Sequence, residues 1–113
     1  MDTNINSIAT KKLSIKGKYE GFKDFYDVNK IVIYKNILKL FTNFKKQDKD
    51  QLVLIISAKI SNLDWETELK FQRNESIVLV RDIMPYFEQI EDYETCGQIC
   101  DLYKKIQLVW WVR

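Results

Sequence analysis

The chain has 113 residues, 46% of them hydrophobic and 30% charged, a length and composition typical of one globular domain, residues 1–113, with a single core. Its apolar runs are shorter than the roughly 20 residues of a transmembrane helix, and residues 1–10 lack the basic start and apolar run of a secretion signal. We therefore expect a cytoplasmic protein without membrane contact. The net charge of +2 divides into +6 for residues 1–60 and −4 for residues 61–113, an asymmetry that can orient a partner.

The N-terminal part should be a tail followed by a strand. Residues 1–10 are polar and without periodicity, which predicts a loose tail. Leu13 and Ile15 then alternate with Lys16 and Lys18, the pattern of a half-buried strand.

A long helix is expected from about residue 28 to 46, with Asp27 as its N-cap. Apolar residues recur at three- and four-residue spacing and should form its buried stripe: Ile31, Tyr34, Leu38, Phe41 and Phe44, widened by Ile37. The opposite side should be basic, with Lys30, Lys35, Lys39 and Lys46.

The rest of the sequence predicts two strands, then a segment that fits either a strand or a helix, and then a helical hairpin. Residues 52–60 are the most apolar stretch and should be the central strand, buried on both faces, with residues 65–71 as its hairpin partner. The β-branched run 77–80 favours a third strand, although a helix capped by Asn74 is the competing interpretation. With the hairpin at about 83–106, these elements predict an α+β fold with a mostly antiparallel sheet.

The residue inventory argues against an enzyme. The chain has no His, the usual general base near neutral pH and a common metal ligand, and no glycine-rich phosphate loop. Cys96 and Cys100 are four residues apart, but two sulfurs do not fill a tetrahedral metal site, so we expect both to pack as small hydrophobic residues. We predict no catalytic residue, cofactor or metal; a hydrolase that uses only carboxylates is the remaining enzymatic alternative.

Two groups of residues are candidates for binding a partner. The first is a basic surface that could neutralise phosphates, and its solvation-only interpretation is about equally supported. The second is Trp111, since tryptophan often anchors interfaces, whereas Trp110 could pack inward from an edge strand. The candidate partner-binding residues are Lys16, Lys18, Lys30, Lys35, Lys39, Lys46 and Trp111.

Residues 86–106 resemble the UVR motif, a helical hairpin for protein–protein contact in nucleotide-excision-repair proteins and some protease adaptors. Residues 91–94, Glu-Asp-Tyr-Glu, match its acidic-aromatic-acidic turn, and Cys96-Gly97 match its pair of small residues. Ile99, Asp101 and Ile106 match the residues that follow, while Cys100 replaces the arginine of that family. The resemblance implies a hairpin that contacts protein.

The chain as a whole resembles, in type, the small accessory proteins of phages and mobile elements, among them the anti-CRISPR inhibitors. It shares with them small size, a split charge and the lack of catalytic groups. This resemblance implies an inhibitor that binds a larger protein or ribonucleoprotein, such as an effector nuclease or its guide RNA. It would bind through the basic helix, or its acidic C-terminal half would mimic nucleic acid against a basic groove. The alternative is a small nucleic-acid-binding or regulatory module that uses the same basic face directly.

Overall fold

The elements of the fold are seen in a computed structural model, which describes the backbone of residues 8–47, 51–72 and 75–112 and the side chains of residues 8–42, 51–72 and 75–106. The N-terminal part contains β1 (Ile8–Tyr19), α1 (Phe22–Gln47), β2 (Gln51–Ile60) and β3 (Leu63–Gln72). A π-helical turn (Leu79–Ile83), α2 (Met84–Gln89) and α3 (Tyr93–Val112) follow. The α+β class is thereby confirmed.

The most apolar stretch of the chain forms β2, the middle strand of a sheet with the order β1-β2-β3. Leu52, Leu54 and Ile56 are fully buried and belong to the core that the helices cover. The prediction that this strand is buried on both faces holds only in part: on the second face Val53 is buried, 8% exposed, whereas Ile55 and Ser57 are half-buried.

A tight hairpin joins β2 to β3, as predicted. Ile60 lies opposite Leu63, so only Ser61 and Asn62 form the turn. Both turn residues have positive φ, 53° and 65°, the conformation of a type I′ turn, whose twist matches that of the paired strands. The antiparallel register then brings alternate residues of β3 onto the helix-covered face.

The third strand of the sheet is β1, which pairs with β2 in parallel. The sheet is therefore mixed, with one parallel and one antiparallel pairing, where we expected a mostly antiparallel one. A parallel pair needs a long crossover, and α1 supplies it. The strand also begins earlier than expected, since residues 8–10 of the predicted tail are part of β1.

The long helix α1 begins at Phe22, six residues before the predicted start. Asp27 is therefore not an N-cap; it lies inside the helix, where it accepts a hydrogen bond of 2.9 Å from the ammonium group of Lys23. The buried stripe is also shifted, because Ile33 and Ile37 are 4% and 3% exposed whereas Ile31 is 41% exposed.

The predicted strand at residues 77–80 is wrong. This part of the chain is helical and runs into the π-helical turn and α2. Leu79, Ile83 and Phe87 are fully or almost fully buried, a four-residue spacing that matches a helical period and not the two-residue period of a strand. The competing helical interpretation is the better one: Leu79 enters the core, with Val78 and Val80 partly buried beside it, while Ile77 is 41% exposed.

The final helix, α3, is longer than expected and extends to Val112. Its backbone is helical through Trp110, so the edge strand considered there is wrong, while the side chains of Trp110 and Trp111 lie outside the described part. Cys96 and Cys100 are half-buried free thiols. Cys96 and the buried Ile99 pack with the common core, which ties α3 to the sheet and α1.

Candidate binding surface

The outward side of α1 carries a row of apolar and basic side chains. Val28, Ile31 and Val32 are 64%, 41% and 43% exposed, and Lys35 and Lys39 continue the row as exposed residues. At 3.6 residues per turn these five positions lie within an arc of about 100°. We call these five residues the outer α1 stripe.

The outer α1 stripe is accessible because α1 packs against the core with its other side. Phe25, Ile33, Ile37 and Leu40 are buried among the strands and the C-terminal helices. Even the polar Asn29 is buried on that side, where its amide donates a 2.9 Å hydrogen bond to the carbonyl of Phe25. An aliphatic stripe left outside a complete core marks a contact surface more often than isolated exposed residues do.

An aromatic cluster fixes the first turn of α1 to the sheet. The Phe25 ring lies 5.2 Å from that of Tyr19, 5.3 Å from that of Tyr26 and 5.5 Å from that of Trp65, each in an edge-to-face arrangement. Phe22 stacks edge-on against Trp65 at 5.2 Å and stays 49% exposed. The cluster therefore fixes the first turn of α1 against Tyr19 of β1 and Trp65 of β3.

The predicted basic residues of α1 have different surroundings. Lys30 is half-buried, with its ammonium nitrogen 5.5 Å from the centroid of the Tyr86 ring, so it helps to hold α1 against α2. Lys35 and Lys39 are exposed, and no described residue forms an ion pair with either. The side chain of Lys46 lies outside the described part.

The predicted basic residues of β1 lie on another side of the molecule. Lys16 and Lys18 are exposed, and alternation along the strand places Lys16 with Lys12 and Ser14, away from the face that α1 covers. The structure therefore does not bring Lys16 and Lys18 together with Lys35 and Lys39. The latter pair alone joins the outer α1 stripe.

A shallow depression of about 500 Å³ lies beside the irregular end of β1. Lys16, Lys59, Asp64 and Glu66 contribute to its lining, so charges of both signs meet there. Lys59 and Asp64 are within 3.7 Å of each other and compensate each other's charge. The depression therefore shows no preference for an anion or a cation.

In the acidic C-terminal half, Asp92 has a structural role at the start of α3. Asp92 accepts a hydrogen bond of 2.7 Å from the Thr95 hydroxyl and one of 3.2 Å from the Thr95 amide, which caps α3. These two hydrogen bonds, and more weakly the charge of Lys35, hold the pKa of Asp92 below its ordinary value. Within the described ranges, no three Cys, Asp or Glu residues are grouped as metal ligands.

Sequence reasoning found the lysines of the stripe and missed its apolar half. It placed Ile31 in the core, and it gave no role to Val28 and Val32. The signal was present in the sequence, since Val28, Ile31, Val32, Lys35 and Lys39 follow a helical spacing of their own.

Comparison with protein-family models, with curated protein sequences and with solved structures gives no match to this chain. Among the helices described here, none combines the length and apolar character required to cross a membrane.

Proposed function

We propose that this chain is a non-catalytic binding protein of the inhibitor type, similar in kind to the anti-CRISPR proteins of phages and mobile elements. It acts in the cytoplasm by occupying a surface of a larger protein, with a guide-loaded effector nuclease as the expected partner. The outer α1 stripe is the contact surface. The matching surface of the partner is an apolar groove with acidic groups at the end that receives Lys35 and Lys39.

The single observation that carries this proposal is the continuity of three exposed aliphatic side chains with two exposed lysines on one helix. An amphipathic helix that binds in a groove uses anchors at positions i, i+3, i+4 and i+7, which are Val28, Ile31, Val32 and Lys35 here. The apolar residues supply burial, while the two lysines supply orientation and a faster encounter with an acidic partner.

The same surface fits protein better than bare nucleic acid. A phosphate backbone is bound by clustered cations, but only Lys35 and Lys39 belong to the stripe, and Lys16 and Lys18 lie away from it. Three exposed aliphatic side chains have no counterpart on a phosphate backbone. The resemblance of residues 86–106 to the UVR motif supports the same class of function, because that motif serves contact between proteins.

The proposal is tested by cleavage of a target duplex by purified guide-loaded effector nucleases, with and without an excess of the chain. We expect inhibition of at least one nuclease, and loss of that inhibition in Ile31→Asp and in the double variant Lys35→Glu, Lys39→Glu. The control is the double variant Lys12→Glu, Lys16→Glu, which makes the same charge change as the double α1 variant, but on β1, and should inhibit like the wild-type chain.

Two results would count against the proposal. One is the absence of inhibition of every nuclease tested. The other is tight binding to bare RNA or DNA that falls steeply as salt is added, which would favour the nucleic-acid-binding alternative.

A further inference from the structure

The outer edge of β1 is free in the described part of the chain. β1 is the first strand in the sheet order β1-β2-β3, and no described strand lies beyond it. An edge strand leaves a row of main-chain N–H and C=O groups without sheet partners, and an extended segment of another chain can pair with them. We call this row the β1 edge.

The register of the sheet determines which main-chain groups lie on the β1 edge. Ile60 and Leu63 close the two-residue turn as a hydrogen-bonded pair, so every second residue of β2 counted from Ile60 directs its N–H and C=O to β3. The residues between them, among them Ile55, direct theirs to β1. Lys12 pairs with Ile55, and in a parallel pairing the partner of such a residue directs its own groups away from β2. The same alternation places on the β1 edge the main-chain groups of Ile8, Thr10, Lys12 and Ser14.

The strand that carries this edge is strongly basic. Between Ile8 and Tyr19 it contains four lysines and no acidic residue. β2, its neighbour in the described sheet, contains no acidic residue either, and the carboxylates of β3 are two strands, or about 10 Å, away. None of the four lysines forms an ion pair with another described residue. The four are Lys11, Lys12, Lys16 and Lys18.

The positive charge of β1 determines which strand can pair with it. Lysines on an edge strand oppose pairing with the same edge of a second copy, because like charges would then lie opposite each other. A strand rich in Asp and Glu instead places carboxylates opposite the lysines, and each such cross-strand pair favours binding. The occupant that fits the β1 edge is therefore an acidic extended segment of another protein.

A phosphate backbone fits the same edge less well. Phosphate oxygens only accept hydrogen bonds, whereas the β1 edge has as many carbonyl acceptors as N–H donors. Those carbonyls would face phosphate oxygens with no donor between them. A peptide strand supplies donors and acceptors in alternation, so its main chain can pair with both kinds of group.

A break in the pairing of β1 limits the length of the added strand. Pairing with β2 is continuous from Ile8 to Ser14 and shifts between Ser14 and Lys18, where Gly17 has a φ of 120°. The regular part is about seven residues, or roughly 23 Å, long. Lys16 and Lys18 are exposed beyond it and can attract acidic residues that follow the paired strand.

We propose that the β1 edge binds an acidic extended segment of a partner protein, which joins the sheet as a fourth strand beside β1. This binding is separate from the proposed inhibition, because it uses β1 whereas inhibition uses the outer α1 stripe. Either activity can fail without the other.

The test is a titration of a fluorescein-labelled peptide of about ten alternating Glu and Thr residues with the full chain, followed by fluorescence anisotropy. We expect binding at low salt that weakens as salt is added. The double variant Lys12→Glu, Lys16→Glu should bind the peptide about tenfold more weakly. Lys35→Glu, Lys39→Glu is the matched control, since it makes the same change in net charge on α1 and should bind the peptide like the wild-type chain.

A second peptide separates strand pairing from simple charge attraction. Methylation of the amide nitrogen of each Glu keeps the charge but removes the N–H groups that would pair opposite Lys12. We expect this peptide to bind at least about tenfold more weakly than the unmodified one. Circular dichroism of each protein variant verifies that the fold is retained.

Four results would overturn the proposal. The first is the absence of binding of the unmodified peptide at low salt, and the second is equal binding of the methylated peptide. The third is tighter binding of single-stranded RNA of similar length, with the same loss in Lys12→Glu, Lys16→Glu, which would assign the lysines of β1 to phosphate. The fourth is a mass above 13.6 kDa for the chain alone in sedimentation equilibrium that returns to 13.6 kDa in this variant, which would make a second copy the occupant of the β1 edge.

Discussion

Two isoleucines of α1, two residues apart, should differ strongly in how much their truncation destabilises the fold. Ile33 is 4% exposed and belongs to the core cluster, whereas Ile31 is 41% exposed and belongs to the outer α1 stripe. Removing a buried isoleucine side chain to alanine costs the transfer free energy and leaves a cavity, together about 3 kcal/mol. Ile31→Ala leaves no cavity and loses only part of the transfer term, so its cost should be below about 1 kcal/mol.

The assay is urea unfolding of the two alanine variants and the wild type. With a denaturant dependence of about 1.5 kcal/mol per molar urea for a domain of this size, Ile33→Ala should lower the midpoint by about 2 M. Ile31→Ala should lower it by less than about 0.7 M. Equal shifts, or a larger shift for Ile31→Ala, would refute the assignment of the buried side of α1 and remove the basis of the stripe.

Three further predictions follow from local contacts. Gly17 has a φ of 120°, and an added Cβ would lie 3.1 Å from the Tyr19 hydroxyl oxygen. Gly17→Ala should therefore destabilise the fold by about 1–2 kcal/mol in urea unfolding. Gly21→Ala is the control and should cost less, because its Cβ would meet no atom within 4 Å. The pKa of Asp92 is lower in the folded than in the unfolded chain, so its contribution to stability is complete above the unfolded pKa and disappears as pH falls through the folded pKa. The difference in thermal midpoint between wild type and Asp92→Ala should therefore shrink in acid. A difference that stays constant with pH would contradict the capping role. Burial, and then the charges of Glu88 and Asp92, raise the pKa of the Cys96 thiol. In the Cys100→Ala variant, alkylation of Cys96 at neutral pH should therefore be slower in the native chain than after unfolding in urea. Equal rates in the two states would contradict the raised pKa.

The strands that could be predicted are those whose hydrophobic pattern fits only one type of secondary structure. Residues 63–72 alternate cleanly, and β2 is a continuous apolar run of strand length, so both strands and their short turn were found. The parallel pairing of β1 was missed because alternation identifies a strand but not its neighbour. The long helix between β1 and β2 was the available signal, since parallel strands require such a crossover.

The shift of the buried stripe of α1 has a physical cause. Apolar residues occur on almost every side of this helix between positions 28 and 41, so two different stripes fit the same helical spacing. Packing decides between them, because the aromatic contacts of Phe25 fix the rotation of the helix on the sheet. The prediction of a strand at residues 77–80 failed for a related reason: the β-branched residues favour a strand locally, but the burial of Leu79 and Ile83 in the core favours a helical turn.

The candidate surface was predicted in part because charge can be read directly from the sequence, whereas exposure of apolar residues cannot. Lys35 and Lys39 were found as charges, and Val28 was not considered because exposure is a property of the packed helix. The separation of Lys16 and Lys18 from α1 likewise depends on the direction in which β1 alternates.

The most direct test of the central claim is hydrogen–deuterium exchange of the full chain, alone and in complex with an effector nuclease that it inhibits. The account predicts slower exchange within residues 28–39 of α1 on complex formation, with β3 unchanged. Protection confined to the sheet or to α3, with α1 exchanging as in the free chain, would contradict contact through the outer α1 stripe.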